Sequence, residues 1–359
     1  MPTSYIDKLI SYAKENDASD IIITSSPNKS RQKSETVLKI HGKVQNIENI
    51  ESISTELCEK SLLALMNNEQ KEAFKTQHQI DFAYENPKGI RVRCNIHKQL
   101  YSYGAVFRLI SEQIKSADDL SLPSQLKLVS NLKNGLVLVT GSMGSGKSTT
   151  LAALINEINL HQQKHILTIE DPIEMIYKSH KSIINQREVG THTSTFNSAL
   201  KSALRENVDV ILVGELRDYE SMKLALTASD VGSIVLSTLH TNSAVESINR
   251  IINIYPPEQQ NEVRYVLADN LRYIVWQQLI PSVYPSCPRV LACEILISNP
   301  AIQNAIRSGQ NFLINHAMET GAKDGMVTMS QYLDFLLNKG DITEETYHKY
   351  KPFRVKNDK

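Results

Sequence analysis

The sequence predicts an α/β protein of two domains, a doubly wound C-terminal domain preceded by a smaller α+β domain. Three observations carry this. From Leu136 onward, short apolar runs alternate with helical stretches, the pattern of a mostly parallel sheet covered on both faces. Between the first run and the first helix lies GSMGSGKS, residues 141 to 148, which fits the G-x-x-x-x-G-K-[ST] phosphate loop in its required strand, loop and helix context. Between Ile80 and Ile110 the hydrophobic period changes to two, the mark of antiparallel strands.

With 359 residues the chain can build two separate cores. Its 39 Lys and Arg balance 39 Asp and Glu, so no global charge favours nucleic acid or an anionic membrane. Cys58, Cys94, Cys287 and Cys293 form no C-x-x-C pair and read as reduced core residues rather than zinc ligands. No apolar run reaches the length of a membrane span, and the first twenty residues lack a signal-peptide core. A cytoplasmic protein is expected, with any membrane association made through partners.

In chain order, Ser4 and Asp7 suggest a capping box, and Ile6, Leu9, Ile10 and Ala13 recur at helical spacing. A strand at Ile21 to Thr24 is followed by a basic loop from Pro27 to Ser34, with Lys29, Arg31 and Lys33. Val37 to Val44 reads as a hairpin, and a helix follows Ser54. Strands are expected at Ile80 to Glu85, Ile90 to Ile96 and Tyr103 to Ile110, the first two joined by a turn at Asn86-Pro87-Lys88-Gly89. In the middle strand, alternation sends Val92, Cys94 and Ile96 to the core and Arg91 and Arg93 to the opposite face, where Arg108 can join them. The domains are placed at 1 to 112 and 135 to 359, with a polar linker or hinge at 113 to 134.

In the second domain, strands are expected at Leu136 to Thr140, His165 to Ile169, Val210 to Val213 and Ile234 to Leu239. Ligands of such sheets bind beyond the carboxyl ends of the strands. Backbone N–H groups of Ser142, Met143, Gly144, Ser145 and Gly146, with the start of the helix at Lys147, Ser148 and Thr149, can cradle phosphates. Lys147 reaches the terminal phosphates, and the Ser148 hydroxyl suits Mg²⁺. Glu170, Asp171 and Glu174 follow the second strand; Glu174 is favoured to orient the attacking water, with Glu170 the second candidate. Glu215 follows the third strand after Gly214 and is favoured as the acid near Mg²⁺, with Asp218 the alternative. His240 and Thr241 follow the fourth, in place to sense a γ-phosphate. Arg205, Arg217 and Arg250 are further cations that ion pairs with Glu206, Asp218 and Glu246 would account for equally well.

Taken together, these residues resemble the secretion ATPase superfamily, and within it the PilT family of type IV pilus retraction ATPases. The resemblance runs from Ala18 to Ile342 and rests on ASD at 18 to 20, GAVFR at 104 to 108, the phosphate loop, HILTIEDPIE at 165 to 174, NQRE at 185 to 188, SALRE at 202 to 206, ILVGELRD at 211 to 218, LALTASD at 224 to 230 and TLHTNSA at 238 to 244. It implies a PAS-like N-terminal domain, a RecA-like ATPase domain and a homohexameric ring that binds ATP and Mg²⁺. It further implies phosphate contacts by Arg93 and Arg108 and an inner-membrane pilus platform protein as partner, together with other pilus ATPases. No tetracysteine site is present, and AIQNAIR at 301 to 307 is similar to the motif of the retraction branch, with Gln303, Ala305 and Ser308 departing from it. A conjugation, type IV or type II secretion ATPase, and a regulatory module with little turnover, remain the other readings.

Overall fold

The computed structural model describes residues 4–25, 33–40, 43–47, 50–100, 102–110, 114–285 and 287–352, so Lys29 and Arg31 lie outside the described residues. The chain divides into two compact units, Met1–Glu112 and Gln113–Lys359.

The first unit comprises α1 (Ser4–Glu15), β1 (Ala18–Ser25), β2 (Ser34–Ile40), β3 (Lys43–Asn46), α2 (Thr55–Leu63), α3 (Asn68–Gln77), β4 (Gln79–Glu85), β5 (Arg91–Lys98) and β6 (Tyr103–Leu109). Among the described residues its strands form one antiparallel sheet in the order β3-β2-β1-β6-β5-β4. The expected alternation holds in β5, where Val92, Cys94 and Ile96 are buried against Ile6, Leu9, Ile10 and Ala13 of α1 and the rest of one core. Asp7 takes no part in a capping box with Ser4, because Ser4 is already helical and the Asp7 carboxylate accepts from Tyr84 Oη at 2.8 Å. The helix α3 escapes the hydrophobic pattern since only Phe74 is buried in it; its signal is the Asn67 and Gln70 capping box.

The second unit runs through α4 (Ser124–Lys127), β7 (Gly135–Thr140), α5 (Lys147–His161), β8 (His165–Glu170), β9 (Ile183–Glu188), α6 (Phe196–Ala203), β10 (Val210–Val213), α7 (Tyr219–Asp230) and β11 (Ile234–Leu239). It continues with α8 (Ala244–Ile254), α9 (Gln260–Asn270), β12 (Leu271–Pro281), β13 (Arg289–Ile297), α10 (Pro300–Ser308), α11 (Asn311–Thr320), α12 (Met329–Lys339) and α13 (Glu344–Tyr350). Its sheet has the order β13-β12-β7-β11-β10-β8-β9, parallel except for β13 against β12.

Every residue of β7 is buried, and the two-residue period splits its side chains between two cores. Leu136 and Leu138 pack with α6, α7, α8 and α9, whereas Val137 and Val139 pack with the apolar side of α5. Helices on both faces are what a continuous apolar strand requires. The segment expected as a linker is not a free connector, because Ala117, Leu122, Leu126 and Val129 are buried in the same core as α5. Cys287 departs from its expected place too: Cys58, Cys94 and Cys293 are buried, but Cys287 is exposed and its thiol donates to the Arg289 carbonyl.

Candidate functional site

The loop from Gly141 to Gly146 leaves the tip of β7 and enters α5, whose N-cap is Gly146 at φ 89°. Gly141 has φ +143°, and a Cβ there would stand 2.4 Å from the Gln277 carbonyl oxygen, so both conformation and space demand glycine. Ser142, Met143 and Gly144 are exposed, as is Ser148 in the first turn of α5, and Thr149 is half-buried. Ser145 is buried and, among the described residues, its hydroxyl has no hydrogen-bond partner, so its part in the loop is played by its backbone. Lys147 Nζ donates to the carbonyls of Gly141 and Ser142, each at 2.9 Å. Burial pulls the Lys147 ammonium below its ordinary pKa, while the carboxylates of Glu215 and Glu174 act against that shift. The lysine of the loop therefore sits in the field of acids from two other strand tips.

Glu170 and Glu174, the two candidates for the base, are held differently. Glu170, the last residue of β8, accepts from Thr168 Oγ1 at 2.6 Å, from Gln186 Nε2 at 3.4 Å and from the Glu174 backbone N–H. Burial raises the Glu170 pKa, and these bonds oppose the rise. Glu174 itself is exposed, in the loop that follows the cis Asp171–Pro172 bond. Thr168 and Gln186 both donate to Oε1, and the bond from the Glu174 N–H ties Glu170 to the loop that carries Glu174.

Strand β9 braces this loop from its other side. Glu188, buried at 4% exposure, accepts from the Ile173 N–H and from Thr191 Oγ1, both at 3.0 Å. Gln186 accepts from the Tyr177 N–H at 2.9 Å and donates to the Met175 carbonyl at 2.8 Å. Neither residue is identifiable as a site support by residue type and spacing; the family block NQRE was their one signal.

Gly214 separates the apolar run of β10 from Glu215 without removing that acid from the strand tip. Its N–H donates to the Ile169 carbonyl at 2.9 Å, and its own carbonyl accepts from Thr238 Oγ1 at 2.7 Å. The adjoining strands thus hold Gly214 as they would a strand residue. Glu215 Oε2 accepts from Arg217 Nε at 2.8 Å, and Oε1 lies 3.6 Å from His240 Nε2. The structure therefore brings Lys147, Glu174, Glu215 and His240 to one end of the sheet. Thr241 is beside them but buried, its hydroxyl 2.7 Å from Ser247 Oγ.

Other candidates are placed elsewhere. Asp218 is the N-cap of α7, its carboxylate accepting from the Ser221 N–H at 2.9 Å, which removes it as the alternative to Glu215. Arg217 pairs with Glu215 rather than Asp218, and Glu206 is taken by Arg187 at 3.0 Å rather than by Arg205. Glu246 accepts from the Asn242 N–H at 2.8 Å, and Arg205 and Arg250 are exposed. In the first unit, Arg93 and Arg108 are cross-strand partners, as expected. Arg108 Nε donates to the buried Asp20 carboxylate at 2.9 Å, and Arg93 Nε is 3.7 Å from Asp81.

A phosphate loop at the tip of a central parallel strand, faced by acids from neighbouring tips, defines a P-loop nucleotide-binding protein of the RecA-like kind. Its relatives narrow the class. The family profile of Type II/IV secretion system protein matches residues 2–335, and the chain belongs to that family. It is 42% identical over 309 residues to a twitching motility protein of Neisseria gonorrhoeae, covering 86% of this chain and 82% of that protein. It is 39% identical over 340 residues to the type IV pilus retraction ATPase PilT of Pseudomonas aeruginosa, covering 95% of this chain and 96% of that one. The crystal structure of the pilus retraction motor PilT with bound ADP superposes with a TM-score of 0.88 at 38% identity, covering 97% of each chain. Among the described residues, no helix is long and apolar enough to cross a membrane.

Proposed function

We propose that this chain is an ATP-hydrolysing motor that drives type IV pilus retraction. The observation that carries the chemistry is the placement of Lys147 in the field of both Glu174 and Glu215, at the end of the sheet where the phosphate loop opens. The backbone of 142 to 146, Lys147 and Thr149 bind the nucleotide phosphates; Glu174 orients and deprotonates water, Glu170 holds Glu174, and His240 senses the terminal phosphate through Glu215. The Ser148 hydroxyl and the Glu215 carboxylate form an all-oxygen donor set that fits Mg²⁺, which when bound neutralises charge on the phosphates.

The pilus assignment rests on relatives named for retraction and twitching that match over most of their length. The motor acts as a homohexameric ring at the cytoplasmic face of the inner membrane, engaging a pilus platform protein and working beside other pilus ATPases. Arg93 and Arg108 of one copy contact phosphate held by the next, exchanging their present carboxylate partners for it. Deleting the gene tests the direction of force. Retraction predicts surface pili that persist or accumulate while twitching is lost; disappearance of pili contradicts it and points to an assembly or secretion ATPase.

A further inference from the structure

The geometry points to Gln277 as a positioning residue of the phosphate loop, one that fixes the direction in which the Gly146 amide faces. The inference rests on the nucleotide-binding reading above. Strand β12 lies parallel to β7 with Trp276 opposite Thr140, so Gln277 is level with the first residue of the loop. Its side chain is fully buried, and Nε2 donates to the Ser145 carbonyl at 2.7 Å. Only the amino end of an amide can bond a carbonyl oxygen, which fixes the orientation of this side chain. The same Nε2 stands 3.3 Å from where a Cβ on Gly146 would be, and the Gln277 carbonyl crowds Gly141. Gln277 is therefore packed beneath both ends of the loop.

The consequence follows from peptide geometry. In a trans peptide the Ser145 C=O and the Gly146 N–H point in opposite directions. Anchoring the carbonyl on Gln277 turns the N–H away from β12, toward the side on which the first free amides of α5 meet an anion. Gln277 Oε1 has no hydrogen-bond partner among the described residues, so the donor is the end of the amide that works. A glutamate of the same shape would set an acceptor against an acceptor. Buried and facing a carbonyl, that carboxyl would have a raised pKa, and once protonated it could donate the missing bond.

The test is titration of the full chain with a fluorescent ADP, alongside phosphate-release kinetics, for wild type, Gln277→Met and Gln277→Glu. Gln277→Met, close in volume but lacking a donor, is expected to weaken ADP binding about tenfold and to raise KM for ATP more than it lowers kcat. Gln277→Glu is expected to bind still more weakly near pH 8 and to recover toward wild type as the pH is lowered to about 5.5, a dependence that loss of packing cannot produce. Two results overturn the inference while wild type binds ADP normally: both variants within about twofold of wild type, or a loss in Gln277→Glu that does not change with pH. If wild type itself binds no ADP, the underlying nucleotide reading fails and this assignment with it.

Discussion

Replacing Glu174 by glutamine separates its role from that of Glu170 at the end of β8. The variant keeps the backbone N–H that Glu174 donates to Glu170, so the loop retains its anchor. The lost element is a base whose charge lies in the field of Lys147. General-base catalysis contributes about 10²- to 10⁴-fold, which corresponds to about 2.7 to 5.5 kcal/mol of barrier, and kcat should fall by that factor. Nucleotide affinity should hold or rise slightly, because an anion beside the phosphates has been neutralised. Glu170→Gln should cost about tenfold or less, since an amide oxygen can still accept from Thr168 and Gln186. Phosphate release at saturating Mg-ATP, with nucleotide titration in parallel, reads both effects. Turnover of Glu174→Gln within about threefold of wild type refutes the reasoning and moves the base to Glu215 or Glu170.

Asp218→Ala should lower stability by about 1 kcal/mol through loss of the α7 cap and leave kcat near wild type, whereas Glu215→Gln should lower kcat at least tenfold; thermal melts and phosphate release distinguish the two roles. Gly141→Ala should abolish ADP binding because its Cβ meets the Gln277 backbone oxygen, while Gly144→Ala, with open space around it, should cost only about 1 to 2 kcal/mol of backbone strain. Burial raises the Cys58 thiol to about 11, so at pH 8 it is thiolate in only about one molecule in a thousand. Burial also raises Cys94 and Cys293, leaving exposed Cys287 as the first site of alkylation; peptide mass spectrometry that found Cys58 modified first would contradict this.

In the first unit, β1, β4, β5 and β6 are legible in sequence; in the second, the legible strands are those whose residues are almost all apolar and buried, namely β7, β8, β10 and β11. The edge strand β9, IINQRE, is polar in four of its six residues and escapes the apolar pattern because its side chains brace a loop instead of filling a core. In β12, Arg272, Gln277 and Gln278 interrupt the apolar run, and at Gln277 the polar group is spent on the phosphate loop. The same reason limits what could be read of the site. Lys147 is visible from the phosphate-loop motif, and Glu174, Glu215 and His240 from their places just after strands. Their supports are Glu188 and Gln277, which are buried, and Gln186, which is half-buried; polar residues in such places look in a sequence like surface ones. Asp218 reads in sequence as an alternative to Glu215 because an N-cap and a catalytic carboxylate can both stand just before a helix; in the structure it caps α7.

The most direct measurement is steady-state phosphate release by the purified full chain with Mg-ATP, set against Lys147→Ala. Saturable hydrolysis by wild type that falls to background in the variant is the predicted result. Hydrolysis that survives the loss of Lys147, or a wild type without turnover, would contradict a motor built on this phosphate loop.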